Sequence, residues 1–64
     1  MLSEQRHKMI LDILREKRSV TVTELTNLLD ISESTARRDI VILDKAGRLV
    51  KVFGGAVLPD HTYQ

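Results

Sequence analysis

The chain has 64 residues, of which 30% are charged and 3% aromatic, with a formal net charge of +1 and no cysteine. A chain this short buries only about 60% of the surface it exposes when unfolded, so one small domain is expected, with no room beside its core for a substrate pocket of ordinary size. Disulfide and thiolate chemistry are excluded, and an N-terminus that is charged within its first eight residues, with no apolar run, argues against a signal peptide or membrane span; a cytoplasmic protein is expected.

The net charge conceals an uneven distribution. Residues 1–18 sum to +2, 19–36 to −3, 37–51 to +3 and 52–64 to −1. Positive charge gathered in residues 37–51 is a footprint expected of a nucleic-acid binder.

In chain order, Ser3 is placed to cap a first helix reaching about Lys17. Met9, Ile10, Ile13 and Leu14 would share its apolar face, bordered by the stems of Arg6 and Lys17. Arg18-Ser19 breaks this pattern, and Val20-Thr21-Val22 alternates β-branched residues as a short strand would. Thr23 suits the cap of a second, short helix with Leu25, Leu28 and Leu29 as its apolar stripe. Asp30-Ile31-Ser32 reads as a tight turn, with Ile31 plugging the corner.

The third helix is the most clearly bounded. Ser32 has the hydroxyl of an N-cap, Gly47 suits the left-handed residue just past a helix end, and Glu33 to Ala46 lie between them. At about 100° per residue, Ala36, Ile40 and Leu43 fall in one narrow sector with Asp39 beside it. Ser34, Arg38, Val41 and Lys45 fall on the opposite side, flanked by Thr35 and Arg37. One face is built to pack; the other carries small hydroxyls and cations.

Arg48 to Phe53 then reads as a strand, Gly54-Gly55 as a two-residue turn, and Ala56-Val57-Leu58 as a returning strand. Alternation leaves open whether Leu49, Lys51 and Phe53 or Val50 and Val52 face inward, although Leu49, nearest the helix, is expected in the core. Pro59 ends regular structure, and residues 59–64 are expected to be a linker or tail. The predicted architecture is mainly α with a small β hairpin: a winged helix-turn-helix of three helices and a two- or three-stranded wing over residues 1–58. The helix-turn-helix spans about 20–46 and the wing about 48–58.

Little here supports catalysis. His7 and His61 stand near opposite ends with no cysteine and no E-x-x-H spacing, so both are expected to be incidental rather than metal ligands. Asp39 and Asp44 are five apart and do not share a helix face; Asp39 is expected to pair with an arginine such as Arg6. Gly54-Gly55 lacks the spacing and following helix of a phosphate-binding loop. No enzyme activity, metal or cofactor is expected of this chain.

DNA binding, by contrast, gathers the motifs into one reading. The helix N-termini at Thr23 and Ser32 would offer free N–H groups to phosphates. Ser34, Thr35 and Arg38 would sit in or beside the major groove, Lys45 on the same outer face, and Arg37 would reach a phosphate. Val41 either touches a thymine methyl or is an ordinary exposed valine. Lys51 and Phe53 would meet the backbone or minor groove, with Gly54 and Gly55 permitting close approach. The alternative is a winged helix used for protein–protein contact or oligomerisation, which the adjacent apolar pair Val41 and Ile42 would suit. Two arginines on the outer face weigh against it, since interaction helices present apolar anchors there.

These residues resemble a known family. R-x3-I-x3-L in Arg6, Ile10 and Leu14, S-x2-T-A-R-R-D-I from Ser32 to Ile40, and G-R-L-V-K-V-F-G-G-A from Gly47 to Ala56 are similar to the DNA-binding domain of DeoR-type transcriptional regulators, over residues 3–58. The resemblance implies a bacterial repressor, commonly of a sugar-catabolism operon, contacting double-stranded operator DNA through Ser32, Ser34, Thr35, Arg37 and Arg38. It implies a larger C-terminal domain, absent from this chain, that binds a phosphorylated sugar or related effector and makes the full-length protein a homo-oligomer, while the present fragment is expected to be monomeric. Phe53 departs from the family pattern, which carries histidine there, and Arg18-Ser19 stands where a glycine is common.

Overall fold

Three helices and a three-stranded antiparallel sheet follow the order α1 (Ser3–Lys17), β1 (Ser19–Thr21), α2 (Val22–Leu29), α3 (Glu33–Lys45), β2 (Val50–Val52) and β3 (Gly55–Val57) in the computed structural model, which describes residues 2–59. Asp60 to Gln64, read as a linker or tail and containing His61, lie outside the described residues.

Local chemistry explains most of the boundaries, with two corrections. Helix α1 is capped one residue earlier than expected: Leu2 is the N-cap and Ser3 already helical, and the Gln5 side chain accepts a hydrogen bond from the Leu2 N–H at 3.3 Å. Helix α2 also starts earlier, because Thr21 rather than Thr23 caps it. The Thr21 hydroxyl accepts from the Glu24 N–H at 3.0 Å while the Glu24 carboxylate accepts from the Thr21 N–H at 2.9 Å, a reciprocal capping box. Val22 is therefore helical and the strand before it ends at Thr21.

Ser32 caps α3 as expected, accepting from the Thr35 N–H at 3.1 Å. At the other end the Arg48 N–H reaches the Leu43 carbonyl at 2.9 Å and the Gly47 N–H reaches the Asp44 carbonyl at 3.0 Å. That is a Schellman arrangement, with Gly47 at φ +75°. Arg18 and Asp30 end the first two helices in the left-handed region, at φ 73° and 55°. Asp tolerates that conformation well; Arg does so at a cost of about 1 kcal/mol.

Ile10, Leu11 and Leu14 of α1, Val20, then Val22, Leu25 and Leu29 of α2, Ala36, Ile40 and Leu43 of α3, and Leu49 and Ala56 form the core, with Ile13, Ile31 and Leu58 packed at its edge. Met9 and Leu28, expected inside, are 41% and 56% exposed. The α1 stripe is rotated by part of a turn, running through His7, Ile10, Leu11 and Leu14, so Leu11 takes the place assigned to Met9.

The sheet has strand order β1-β3-β2. Ser19, Val20 and Thr21 pair with Val57, Ala56 and Gly55; Val50, Lys51 and Val52 pair with Val57, Ala56 and Gly55 from the other side. The hairpin turn is therefore Phe53-Gly54, not Gly54-Gly55, and Gly54 supplies the positive φ (+76°) at its second position. Gly55 belongs to the central strand. A Cβ there would lie 2.1 Å from the Val20 carbonyl oxygen, so glycine is what lets β3 approach β1. The turn is also anchored, because the Gly54 carbonyl accepts from the Val22 N–H at 2.9 Å, the first orphan donor of α2.

Candidate nucleic-acid interface

Helix α3 packs Ala36, Asp39, Ile40 and Leu43 inward and leaves Glu33, Ser34, Arg37, Arg38, Ile42, Asp44 and Lys45 exposed. Thr35 and Val41 are half-buried at the borders. The hydroxyls and cations of the outer face thus lie where the 100° spacing put them. Among the described residues Arg38 and Lys45 have no ion-pair or hydrogen-bond partner. Arg37 is different: its guanidinium donates to the Glu33 carboxylate one turn earlier at 2.6 Å.

A buried charge fixes how this helix is seated. Asp39, 1% exposed, accepts two hydrogen bonds from Arg6 of α1, one of them from Nη2 at 2.9 Å, and lies 3.0 Å from His7 Nε2. Burial pushes the Asp39 carboxyl up, but hydrogen bonds from Arg6 and His7 and their charges outweigh it and hold the carboxyl below the usual carboxylate range. The Arg6 guanidinium is raised in turn, chiefly by its hydrogen bond to Asp39. The Arg6 pairing matches the sequence expectation. His7 was missed, although its place at i, i+3, i+4 and i+7 with Ile10, Leu11 and Leu14 is the signal that puts it against α3.

The wing stands beside the outer face. Arg37, Ile40 and Val41 of α3 line a cleft of about 90 Å³ together with Val22, Lys51, Val52 and Gly55. The Lys51 N–H donates to the Asp44 carboxylate at 3.1 Å, tying β2 to the last turn of α3 and leaving the Lys51 ammonium exposed. The sequence marks Asp44 only as too far round the helix to pair with Asp39, since nothing local signals a bond to a residue seven positions on. Val50 and Val52 are also exposed, so no residue of β2 enters the core; Leu49, just before it, does.

Of the remaining positions, Thr23 is exposed in the first turn of α2, and Ser32 and Thr35 are joined by a hydroxyl–hydroxyl hydrogen bond of 3.0 Å at the start of α3. Phe53 and Gly54 form the exposed wing tip, whereas Gly55 is buried against Val20 and borders only the cleft between the wing and α3. Ser34, Arg38 and Lys45 share one surface, and Arg37, Val41 and Lys51 meet in the cleft beside it.

Two helices joined by a short turn, the second capped and cationic on its outer face, with a β hairpin at its flank, define a winged helix-turn-helix. The sequence comparison narrows this further: residues 6–62 match the DeoR-like helix-turn-helix domain, and the chain belongs to that family. Over 59 residues the chain is 39% identical to the HTH-type transcriptional repressor GlcR of Bacillus subtilis, covering 92% of this chain and 23% of that protein. It is 45% identical over 56 residues to the uncharacterized HTH-type transcriptional regulator FruR of the same organism, covering 88% and 22%. Over the same length and coverage it is 48% identical to the HTH-type transcriptional regulator UlaR of Salmonella newport. The chain thus spans less than a quarter of the length of these relatives. No solved structure is a significant match.

Proposed function

We propose that the chain reads double-stranded operator DNA in a sequence-specific manner, as the N-terminal module of a bacterial transcriptional repressor. The observation that carries this is the outer face of α3, where Ser34, Arg38 and Lys45 are exposed and both cations are unpaired among the described residues. Seated in the major groove, Arg38 would bond a guanine edge in two-pronged fashion, and Ser34 would lie close enough to bond a neighbouring base. Val41 at the border would meet a thymine methyl. Arg37, Thr23, Ser32, Thr35 and Lys51 would hold phosphates, fixing register and supplying most of the affinity without sequence information.

The role as a repressor is supported by membership of the DeoR-like family and by a relative that is a transcriptional repressor. The resemblance points to a sugar-catabolism operon, to a phosphorylated sugar as effector on a further C-terminal domain, and to an oligomer that places two such modules on paired half-sites. The cationic outer face weighs against a purely protein-binding module, as does Val41 being half-buried in the cleft and not presented as an anchor.

NMR titration of the labelled chain with a short duplex, at low and moderate salt, tests the reading. Shifts are expected in the first turn of α2, over Ser32–Val41 and Lys45, and over Lys51–Gly54, weakening as salt rises. Absence of shifts at low salt, or shifts centred on Val41 and Ile42 that track protein concentration alone, would replace DNA reading with the interaction module.

A further inference from the structure

We propose that the wing tip is a wedge: Phe53 enters the minor groove, inserts between two base pairs and kinks the duplex. The inference rests on the reading of α3 as the DNA-facing helix and adds a bending activity to it. Its starting point is an anomaly of burial. Phe53 is the chain's only phenylalanine, yet it is 106% exposed, more than any other large apolar residue described. Val52 and Val50 on the strand leading to it are 41% and 42% exposed. Of these, Phe53 is the residue whose full exposure on a small hairpin calls for a partner that covers it.

The tip is presented rigidly. It is a two-residue turn closed by the Val52–Gly55 pair, and the hydrogen bond from the Val22 N–H to the Gly54 carbonyl ties it to the start of α2. Phe53 therefore projects from a fixed support, so much of the ordering cost of inserting it is already met.

The surroundings say what the partner is. The base of the wing shares its cleft with Arg37, Val41 and Lys51; of the carboxylates beside them, Glu33 is paired with Arg37 and Asp44 is engaged by the Lys51 N–H. A polyanion suits that surface. A duplex with α3 in its major groove would run along this cleft, and the wing would cross the backbone onto the adjoining minor groove. There a phenyl ring has nothing to offer a phosphate, since it neither donates a strong hydrogen bond nor carries charge. Its favourable contact is with sugar and base faces, and apolar side chains in minor grooves part base steps and bend DNA toward the major groove. The wedge should favour pyrimidine–purine steps, which unstack at least cost.

The test uses the 64-residue chain and a duplex chosen by selection from a random-sequence pool, with 2-aminopurine beside a pyrimidine–purine step at the wing and a dye pair on its ends. On binding, the wild type should brighten the 2-aminopurine severalfold and shorten the end-to-end distance. Phe53→Ala, which removes no buried contact, should bind roughly tenfold more weakly and do neither, while Phe53→Leu keeps part of both effects. Binding without brightening or bending in the wild type, or equal bending by Phe53→Ala, would overturn the wedge and leave DNA reading intact. No binding by the wild type at low salt would overturn both. Self-association abolished by Phe53→Ala with the bend unchanged would make Phe53 a contact between copies instead.

Discussion

Arg38 and Lys51 carry the same charge, and on the proposed reading their surroundings fit them for different tasks. Arg38 is exposed in the middle of the α3 outer face, beside Ser34, and has no partner to release among the described residues, so its fork is free for the proposed base edge. Lys51 is held at the wing by its backbone, through the hydrogen bond to Asp44, so truncating its side chain removes a charge without loosening the hairpin. Arg38→Ala is therefore expected to cost about 1–3 kcal/mol on a preferred sequence and to relax selectivity at one base pair. Lys51→Ala is expected to weaken binding to every duplex alike and to reduce the salt slope by about one. Affinities for a preferred duplex and its single-base variants, measured over a range of salt, separate the two; equal, sequence-blind losses would rule out base readout by Arg38. Arg37 stands apart from both, because it must first leave Glu33.

At the scale of elements, the Arg6–His7–Asp39 cluster is the polar joint between α1 and α3, set in an otherwise apolar interface. The Asp39 carboxyl is held below its usual range in the folded chain, so the folded state binds fewer protons than the unfolded one once pH falls to about 4. The stability it contributes is present above that pH and lost as pH falls through the folded value. Glu24, lowered chiefly by its hydrogen bond from Lys17 and also by the Thr21 N–H, acts in the same direction. Asp39→Asn keeps the shape and loses the charge: it should cost about 2 kcal/mol at neutral pH, roughly 10 °C in Tm, and give a shallower acid limb that approaches the wild type at low pH. Thermal melts from neutral pH to about pH 3 check this; parallel limbs would show that the cluster holds no pH-dependent stability. The same joint marks what a sequence discloses. Ser32 and Gly47 bound α3 by chemistry contained within a few residues, and Asp39 was legible as a charge beside an apolar sector. The Thr21 cap was also written locally, as T-x-x-E, but the β-branched run around it reads more readily as strand. The pairing of β1 with β3 was not legible, because it joins residues nearly forty positions apart and depends on the missing side chain of Gly55. Among the site residues, the α3 outer face followed from periodicity alone, while the burial of Gly55 and the cleft joining Arg37 to Lys51 required the three-dimensional arrangement.

For the whole molecule, a net charge of +1 is a poor guide to its capacity for a polyanion, because what counts is the charge on the side presented to it. Arg37, Arg38, Lys45 and Lys51 gather on the outer face of α3 and the neighbouring wing. Lys8, Arg15 and Arg48 instead rim a cleft of about 420 Å³ floored by Leu11 and Leu43, and Leu43 belongs to the buried stripe of α3, so that cleft opens away from the outer face. If DNA is met from one side only, counterion release should count the first group and ignore the second. The logarithm of the affinity should then fall with the logarithm of salt concentration with a slope of about −3 to −4, a loss of roughly a hundredfold between about 50 and 200 mM. Lys8→Ala combined with Arg15→Ala lowers the net charge to −1 and would depress binding markedly if overall charge governed it. The one-sided interface predicts an unchanged slope for that double variant and a slope shallower by about two for Lys45→Ala combined with Lys51→Ala, although both pairs remove the same formal charge. Equal slopes in the two double variants would show that the duplex responds to the charge of the whole molecule and not to the face that α3 and the wing present.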